Sequence, residues 1–580
     1  MLLAPIDTEE VLRLGKRHLY TGTALLLSAM LLVSACSGSG SKSTDNGSKP
    51  ADTAQVDANK PQDGGTLTIA TTSDIVSLNP LTYDDTASGD LINLVFAPLY
   101  DVSAKGDLVV DDWSLAAEPY KVSADGKTYT VKIKPNAKWS DGSPVTADDV
   151  AFTFQTFADP KAGLPAHDSF ASVAKVEKVD NTTVNIILKE VDATFELNAL
   201  NTAIVPAKVF KDVPVEKIKD STYGKDVKTF ISNGPYKWAE WAEKQYNKLV
   251  RDPNYWGKKP NIDTIIYKIY ADQNTEVQAL LKGEVDFIET VPVAQLDAVK
   301  ANSNLHIFEG PGPAYDYIGF NFKPDNWPGG FVPFAGAKTR LAINYAINRK
   351  GMVDSVLKGH GTLINGPFLP DSWANTPEAA ANFQYDANKA KQLLAEDGWK
   401  AGSDGILVKD GHKFEFDLMF NSGNKRRESY AAIIQQNLQD VGIKVNLKPM
   451  DFSALVDQYI TPGKFQALLL GWQLSLDPDA RSLFSSKFFP PAGQNSGFYK
   501  NEKTDALWDQ ARTTSDKAKR KAAYAEILKE FANDPPYVFI AQQNIMTAYN
   551  DRVHWAKEDQ PVQAIPYGYT FHIFNWWVTK

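Results

Sequence analysis

Few side chains in this chain are spaced for chemistry. The seven histidines (His18, His167, His306, His360, His412, His554 and His572) show no His-x-x-x-His spacing, and a single cysteine allows no Cys-x-x-Cys pair. A metal site of ordinary type is therefore not expected. Neither a Gly-x-Ser-x-Gly nucleophile elbow nor a Gly-x-x-x-x-Gly-Lys-Ser/Thr phosphate loop occurs. The adjacent acids Asp148/Asp149 and Asp111/Asp112 cannot face each other across a substrate, so they read as helix starts or solvated loops, and no enzyme is expected. What remains is one thiol, Cys36, and the modification it can carry.

Cys36 ends the run Leu31-Leu32-Val33-Ser34-Ala35-Cys36. Ahead of it lie basic residues (Arg13, Lys16, Arg17), an apolar core over residues 19–33 and the small residues Ser34 and Ala35, the three parts of an export signal. The apolar stretch is shorter than the roughly 20 residues needed to cross a bilayer and is interrupted by Thr and Ser. Val33-Ser34-Ala35-Cys36 resembles the bacterial lipobox, whose cysteine becomes a lipidated N-terminus. That resemblance implies a signal peptide over residues 1–35 and a lipid anchor at the extracytoplasmic face of the cell membrane.

With Cys36 consumed, the body has no thiol for a disulfide, an iron–sulfur cluster or a thiolate metal site. A chain of 580 residues, 43% hydrophobic and 23% charged, can build sizeable cores, and two or more domains are expected. The net charge of −9 is unchanged by removal of residues 1–35, whose charges cancel, and argues against nucleic acid as a partner. Residues 36–62 are almost free of large apolar side chains and read as a flexible tether. About 25 such residues reach about 25–30 Å.

Beyond the tether, Thr66-Leu67-Thr68-Ile69-Ala70 alternates as a strand and runs into a polar loop. Lys127-Thr128-Tyr129-Thr130-Val131-Lys132-Ile133 alternates after the turn Ala124-Asp125-Gly126. Thr146-Ala147-Asp148-Asp149 supplies an N-cap and first-turn acids for a helix over 150–157. Two later segments share one rhythm: a helix over 274–281, Gly283 and a strand at 285–288, then a helix over 426–440, Gly442 and a strand at 443–447. The alternation of helices and strands predicts α/β layers, and the hairpins before residue 200 predict a separate, more antiparallel subdomain.

Seven stretches in order are similar to the family 5 extracytoplasmic solute-binding proteins of peptide ABC importers. They are Gly64-Gly65-Thr66-Leu67 with Ser77-Leu78-Asn79-Pro80; Val95-Phe96-Ala97-Pro98-Leu99-Tyr100; the run from Lys138-Trp139-Ser140-Asp141-Gly142 to Asp149-Val150; Asn233-Gly234-Pro235-Tyr236; Arg251-Asp252-Pro253-Asn254-Tyr255-Trp256; Gly283-Glu284-Val285-Asp286; and Arg340-Leu341-Ala342-Ile343-Asn344-Tyr345-Ala346-Ile347-Asn348-Arg349. The resemblance implies an α/β, two-lobed periplasmic-binding-protein-like fold of type II with an inserted subdomain. Lobe I would comprise 63–109, 191–309 and 546–580, the insert 110–190 and lobe II 310–545. It further implies a monomer that needs no cofactor, traps an oligopeptide between the lobes and passes it to ABC permease subunits. An oligosaccharide, an opine or a metal chelate, and a ligand-sensing surface receptor, stay open as alternatives.

A cleft can grip an extended peptide of any sequence through main-chain hydrogen bonds. Two segments are expected to do so: Ser77, Leu78 and Asn79 after the first strand, and Gly471-Trp472-Gln473-Leu474-Ser475 after the apolar strand at 467–470. Tyr317 and Asn321, on a strand entering the second lobe, are further candidates. Peptide-binding relatives carry Trp-x-x-Asp in the second segment, the carboxylate pairing with the ligand's amino terminus; here the fourth position is Ser475. A hydroxyl cannot replace a carboxylate against a buried ammonium, so either Asp477 reaches in or the ligand lacks an anchored amine. Asp477-Pro478-Asp479 caps the following helix in the competing reading. Lys425-Arg426-Arg427 reads as the solvated start of a helix, and Trp139 and Trp256 as structural.

Overall fold

A computed structural model of the chain describes residues 60–450, 452–490 and 493–579. Cys36, the expected signal peptide and nearly all of the expected tether lie outside them. The first strand, Thr66–Thr71, buries Leu67 and Ile69 while Thr66 and Thr68 stay half-buried, as its alternation predicts. It runs parallel to Thr264–Ile269 on one side and to Phe287–Ile288 on the other.

Among the described residues eleven strands form one mixed sheet. From one edge its order is Lys444–Met450, Glu415–Asn421, Ala467–Gln473, Leu305–Phe320, Tyr537–Asn550, Phe287–Ile288, Thr66–Thr71, Thr264–Ile269, Tyr246–Arg251 and Tyr236–Ala242, with Gly361–Leu363 also paired to Tyr537–Asn550. Leu305–Phe320 and Tyr537–Asn550 are the longest strands described, and they join two sets of cores. One set gathers apolar side chains from residues 67–299 and the tail at 546–578. The other gathers residues 315–541. The antiparallel register of the two long strands breaks between Pro311 and Tyr315, where Gly310-Pro311-Gly312-Pro313 interrupts the ladder. Proline has no N–H to donate, so the ladder is interrupted on the segment that joins the two sets of cores, and a second shift follows between Asp316 and Tyr317.

The hairpins before residue 200 form a four-stranded antiparallel sheet, in the order Lys121–Val122, Thr128–Lys132, Thr183–Leu188 and Val173–Lys178. The sheet is separate, but its core is not. Val131, Phe154 and Ile186 belong to the same apolar cluster as Leu67 and Ile265. The neighbouring helix Ala147–Ala158 starts as expected: the Asp149 carboxylate accepts from the Thr146 N–H at 2.8 Å and from the Ala207 N–H at 2.9 Å. Helix Lys425–Gln439 ends before Gly442, whose φ of +85° few side chains tolerate, and strand Lys444–Met450 follows.

Candidate functional site

A cavity of about 800 Å³ opens between the two sets of cores. One wall comes from residues 80–102, 157–170 and 197–203 and from the returning tail at 565–574; the other comes from residues 475–494 and Arg512. The lining mixes aromatic rings, such as Tyr83 and Tyr567, with amides (Asn198, Asn201) and carboxylates (Asp101, Asp168, Asp479). Such a space lies toward the upper end of the roughly 300–1,000 Å³ of small-ligand pockets.

The second expected segment reaches this cavity and the first does not. Ser475 lines it. Strand Ala467–Gln473 is three residues longer than expected, because Gly471, Trp472 and Gln473 pair with Asp316, Tyr315 and Ala314, so Trp472 and Gln473 are strand residues. Trp472 is half-buried and lies parallel to Tyr317, ring centroids 5.8 Å apart. Gln473 and Ser475 are exposed and Leu474 half-buried.

Ser77, Leu78 and Asn79 are all buried and turned into the first lobe. The Leu78 N–H donates to the Gly224 carbonyl, the Ser77 hydroxyl to the Tyr223 carbonyl, and Asn79 Oδ1 accepts from the Leu81 N–H. This loop fastens the first lobe to residues 223–224, where a side chain on Gly224 would strike the Asn79 nitrogen at 2.3 Å. Sequence polarity suggested a ligand-facing loop, but the Ser77 hydroxyl and Asn79 Oδ1 bond the backbone around them, and Asn79 Nδ2 is buried without a partner. Tyr317 is likewise closed off, sandwiched between Trp472 and Tyr537. Asn321 is fully buried, donating to the Gly463 carbonyl and accepting from the Lys323 N–H.

Asp477 is not a free anchor for an ammonium. Its two oxygens accept from Arg520 at 2.6 and 2.9 Å, and both side chains are almost fully buried. Ala480 stands at the N-cap of Arg481–Phe484 with no side-chain cap bond, and Asp479, one residue earlier, accepts from the Arg481 N–H. Burial raises the Asp479 carboxyl to about 6, against the opposing pull of Arg512. Lys425-Arg426-Arg427 also departs from the solvated reading. Arg426 and Arg427 turn inward to the fully buried Asp316, at 2.7 and 3.2 Å, and only Lys425 stays in water.

Arg512 is a residue the sequence did not single out. It lines the cavity from the second lobe, donates to Asp192 at 2.9 Å and lies 3.7 Å from Asp479. Its carbonyl accepts from the Ala193 N–H at 2.8 Å, and Arg520 approaches the Ala193 carbonyl at 3.4 Å. Burial works against the Asp192 charge, but Arg512 outweighs it and holds that carboxyl below its usual range. Asp192 and Ala193 precede Phe195 of the first-lobe core, whereas Arg512 and Arg520 sit on helices Glu502–Arg512 and Lys517–Asn533 of the second. The contact therefore spans the cleft. A lone Asp-Ala pair and a lone Arg 320 positions apart carry no local pattern that would reveal it.

The chain is 34% identical over 568 residues to the oligopeptide-binding protein AppA of Bacillus subtilis (strain 168), covering 96% of this chain and 99% of AppA. The structure of that AppA in complex with a nonapeptide superposes with a TM-score of 0.79 at 33% identity, over 90% of this chain and 100% of AppA. NikZ from Campylobacter jejuni, in complex with Ni(L-His), superposes with a TM-score of 0.77 at 27% identity, over 88% and 99%. No helix of the described residues is long and apolar enough to cross a membrane. Residues 114–495 match the model of the bacterial extracellular solute-binding proteins, family 5 (middle region), and the chain belongs to that extracytoplasmic, two-lobed family.

Proposed function

We propose that this protein captures an oligopeptide between its lobes and delivers it, chemically unchanged, to the permease of an ABC importer. The observation that carries the reading is near-full-length similarity to an oligopeptide-binding protein, 34% identical over 568 residues, combined with a cavity of about 800 Å³ whose lining is part aromatic and part polar. Backbone-directed binding needs such room around each ligand side chain.

In this reading lobe I is 63–109, 191–309 and 546–580, lobe II is 310–545, and 110–190 is an insert. The register break at Pro311 supports a hinge near those bounds. Ser475 contacts the ligand, with Gln473 and Leu474 at the edge of the site and Trp472 stacked behind them. No carboxylate at position 475 and a neutralised Asp477 mean that the ligand's amino terminus is not held there as an ion pair. Residues 1–35 serve as a signal peptide, Cys36 carries the lipid and 36–62 tether a monomeric body to the membrane.

Native mass spectrometry of the purified protein tests the ligand class. A ladder of peptide masses released on denaturation is the expected result. A co-purified sugar, opine or chelate, or a peptide recovered cleaved after incubation, refutes the reading.

A further inference from the structure

On the tail side of the cavity, Asp101, Asp111 and His572 each bring one donor atom to a common point, all within 4.8 Å of one another. They come from three places: the short strand Asp101–Val102, the turn leading to Trp113, and a residue held at φ +49° in the tail. We propose that they form a binding site for a divalent cation of the zinc type, set in the cavity wall.

Each side chain is fixed through one atom, and the carboxylates of Asp101 and Asp111 are close enough to share a proton, whose place the ion takes. Asp101 Oδ1 accepts from the Val102 N–H at 2.7 Å, and Asp111 Oδ1 accepts from the Trp113 and Ser114 N–H groups at 2.9 Å. His572 Nδ1 lies 2.9 Å from Asp559, while its Nε2 is inaccessible to water and has no hydrogen-bond partner. A carboxylate orienting an imidazole through one nitrogen, with the other nitrogen free, is the arrangement that sets histidine up as a metal ligand. Close by, the Tyr255 hydroxyl is also inaccessible and unpartnered, and lies within electrostatic reach of Asp101, Asp111 and Asp112. Two orphaned polar atoms around paired carboxylates indicate a missing polar occupant.

The local charge agrees. Three aspartates face one ammonium, Lys134, whose Nζ is already held by the Asp111 and Ser114 carbonyls. Imidazole selects borderline ions such as Zn²⁺ over Ca²⁺ or Mg²⁺. Asp101 and His572 both line the cavity, so an entry path exists. Three protein ligands leave a tetrahedral ion one open position, for water or for a carboxylate or amine of the cavity's occupant.

Calorimetry of the chelator-treated full chain with ZnCl₂ at pH 7 tests the site. The expected result is one equivalent bound with a Kd below about 50 µM, weakened at least tenfold in both Asp111→Asn and His572→Gln and unchanged in Asp325→Asn, an exposed aspartate far from the cluster. As a check that does not depend on variant folding, Co²⁺ added to the native protein should give visible absorption that stoichiometric Zn²⁺ abolishes. A Kd weaker than that bound, tighter binding of Ca²⁺ than of Zn²⁺, or full affinity in folded Asp111→Asn and His572→Gln overturns the proposal; the last outcomes would leave a proton shared by Asp101 and Asp111 as the occupant.

Discussion

Replacing Asp192 by asparagine separates the energy of lobe closure from that of lobe folding. Asp192 Oδ2 accepts from Arg512 at 2.9 Å, and Oδ1 accepts from the Thr194 N–H and hydroxyl at 3.1 and 2.8 Å. The amide of Asp192→Asn keeps its oxygen for Thr194, so the first lobe is undisturbed, but it turns an NH₂ group toward the guanidinium. Breaking one side of a buried ion pair costs about 3–5 kcal/mol, and a hydrogen bond to a charged group is worth about 1.5–3 kcal/mol. Arg512 retains Asp479 at 3.7 Å, which places the loss near the lower figures, at about 2 kcal/mol. Because the pair joins side chains of the two lobes, hinge opening is expected to break it, so the loss should fall on the closure step and weaken ligand affinity about thirtyfold. Calorimetric Kd values for a tight-binding peptide, measured beside the melting temperature of ligand-free protein, check this. An unchanged Kd, or a drop in ligand-free melting temperature equivalent to the affinity loss, would refute the latch. The pH dependence has a fixed sign. The carboxyl is held below its ordinary value of 3.8, so the contribution is complete at neutral pH and is lost only as pH falls through that depressed value.

Asp477→Asn breaks the buried pair with Arg520 and should lower global stability by about 3–5 kcal/mol in chemical denaturation, while affinities for free-amine and acetylated peptides shift equally; a selective loss for free amines would restore Asp477 as an anchor. Trp472→Ala removes a half-buried ring stacked on Tyr317 and should cost about 2–3 kcal/mol in the empty protein, an effect that an unchanged melting temperature would exclude. Burial, with Glu289 and Asp272 nearby, raises the Glu276 carboxyl to about 7 from 4.5. The folded state therefore binds more protons across that window, stability falls as pH rises through it, and Glu276→Gln should flatten the melting-temperature profile between pH 5 and 8.

Regular elements were legible because their signals are local. The alternation at 66–70, the acids at 148 and 149, and the glycine closing the helix at 425–439 each state their geometry within a few residues. The family pattern directed attention to Trp472 and Ser475; the structure sets Ser475 in the cavity wall and Trp472 against Tyr317. Ser77, Asn79 and Asn321 misled because a polar side chain near a cleft and one tying a loop to a neighbouring backbone look identical until their partners are known. Asp477 misled for a related reason: its partner Arg520 lies 43 residues away, on a helix whose sequence gives no sign that the arginine is buried. The latch and the Asp101, Asp111 and His572 cluster were illegible because both depend on where the chain returns, which no short window records.

The return of the tail also bears on biosynthesis. Trp576 and Val578 sit in the same apolar cluster as Leu67 and Ile69, and a side chain on Gly65 would collide with Val578 at 2.5 Å. Leu67 and Ile69 thus complete their packing only once residues 576–578 have arrived, and contacts so distant in sequence form slowly. For a chain of an extracytoplasmic family, a core that closes only on so remote a segment favours a loosely packed state during passage across a membrane.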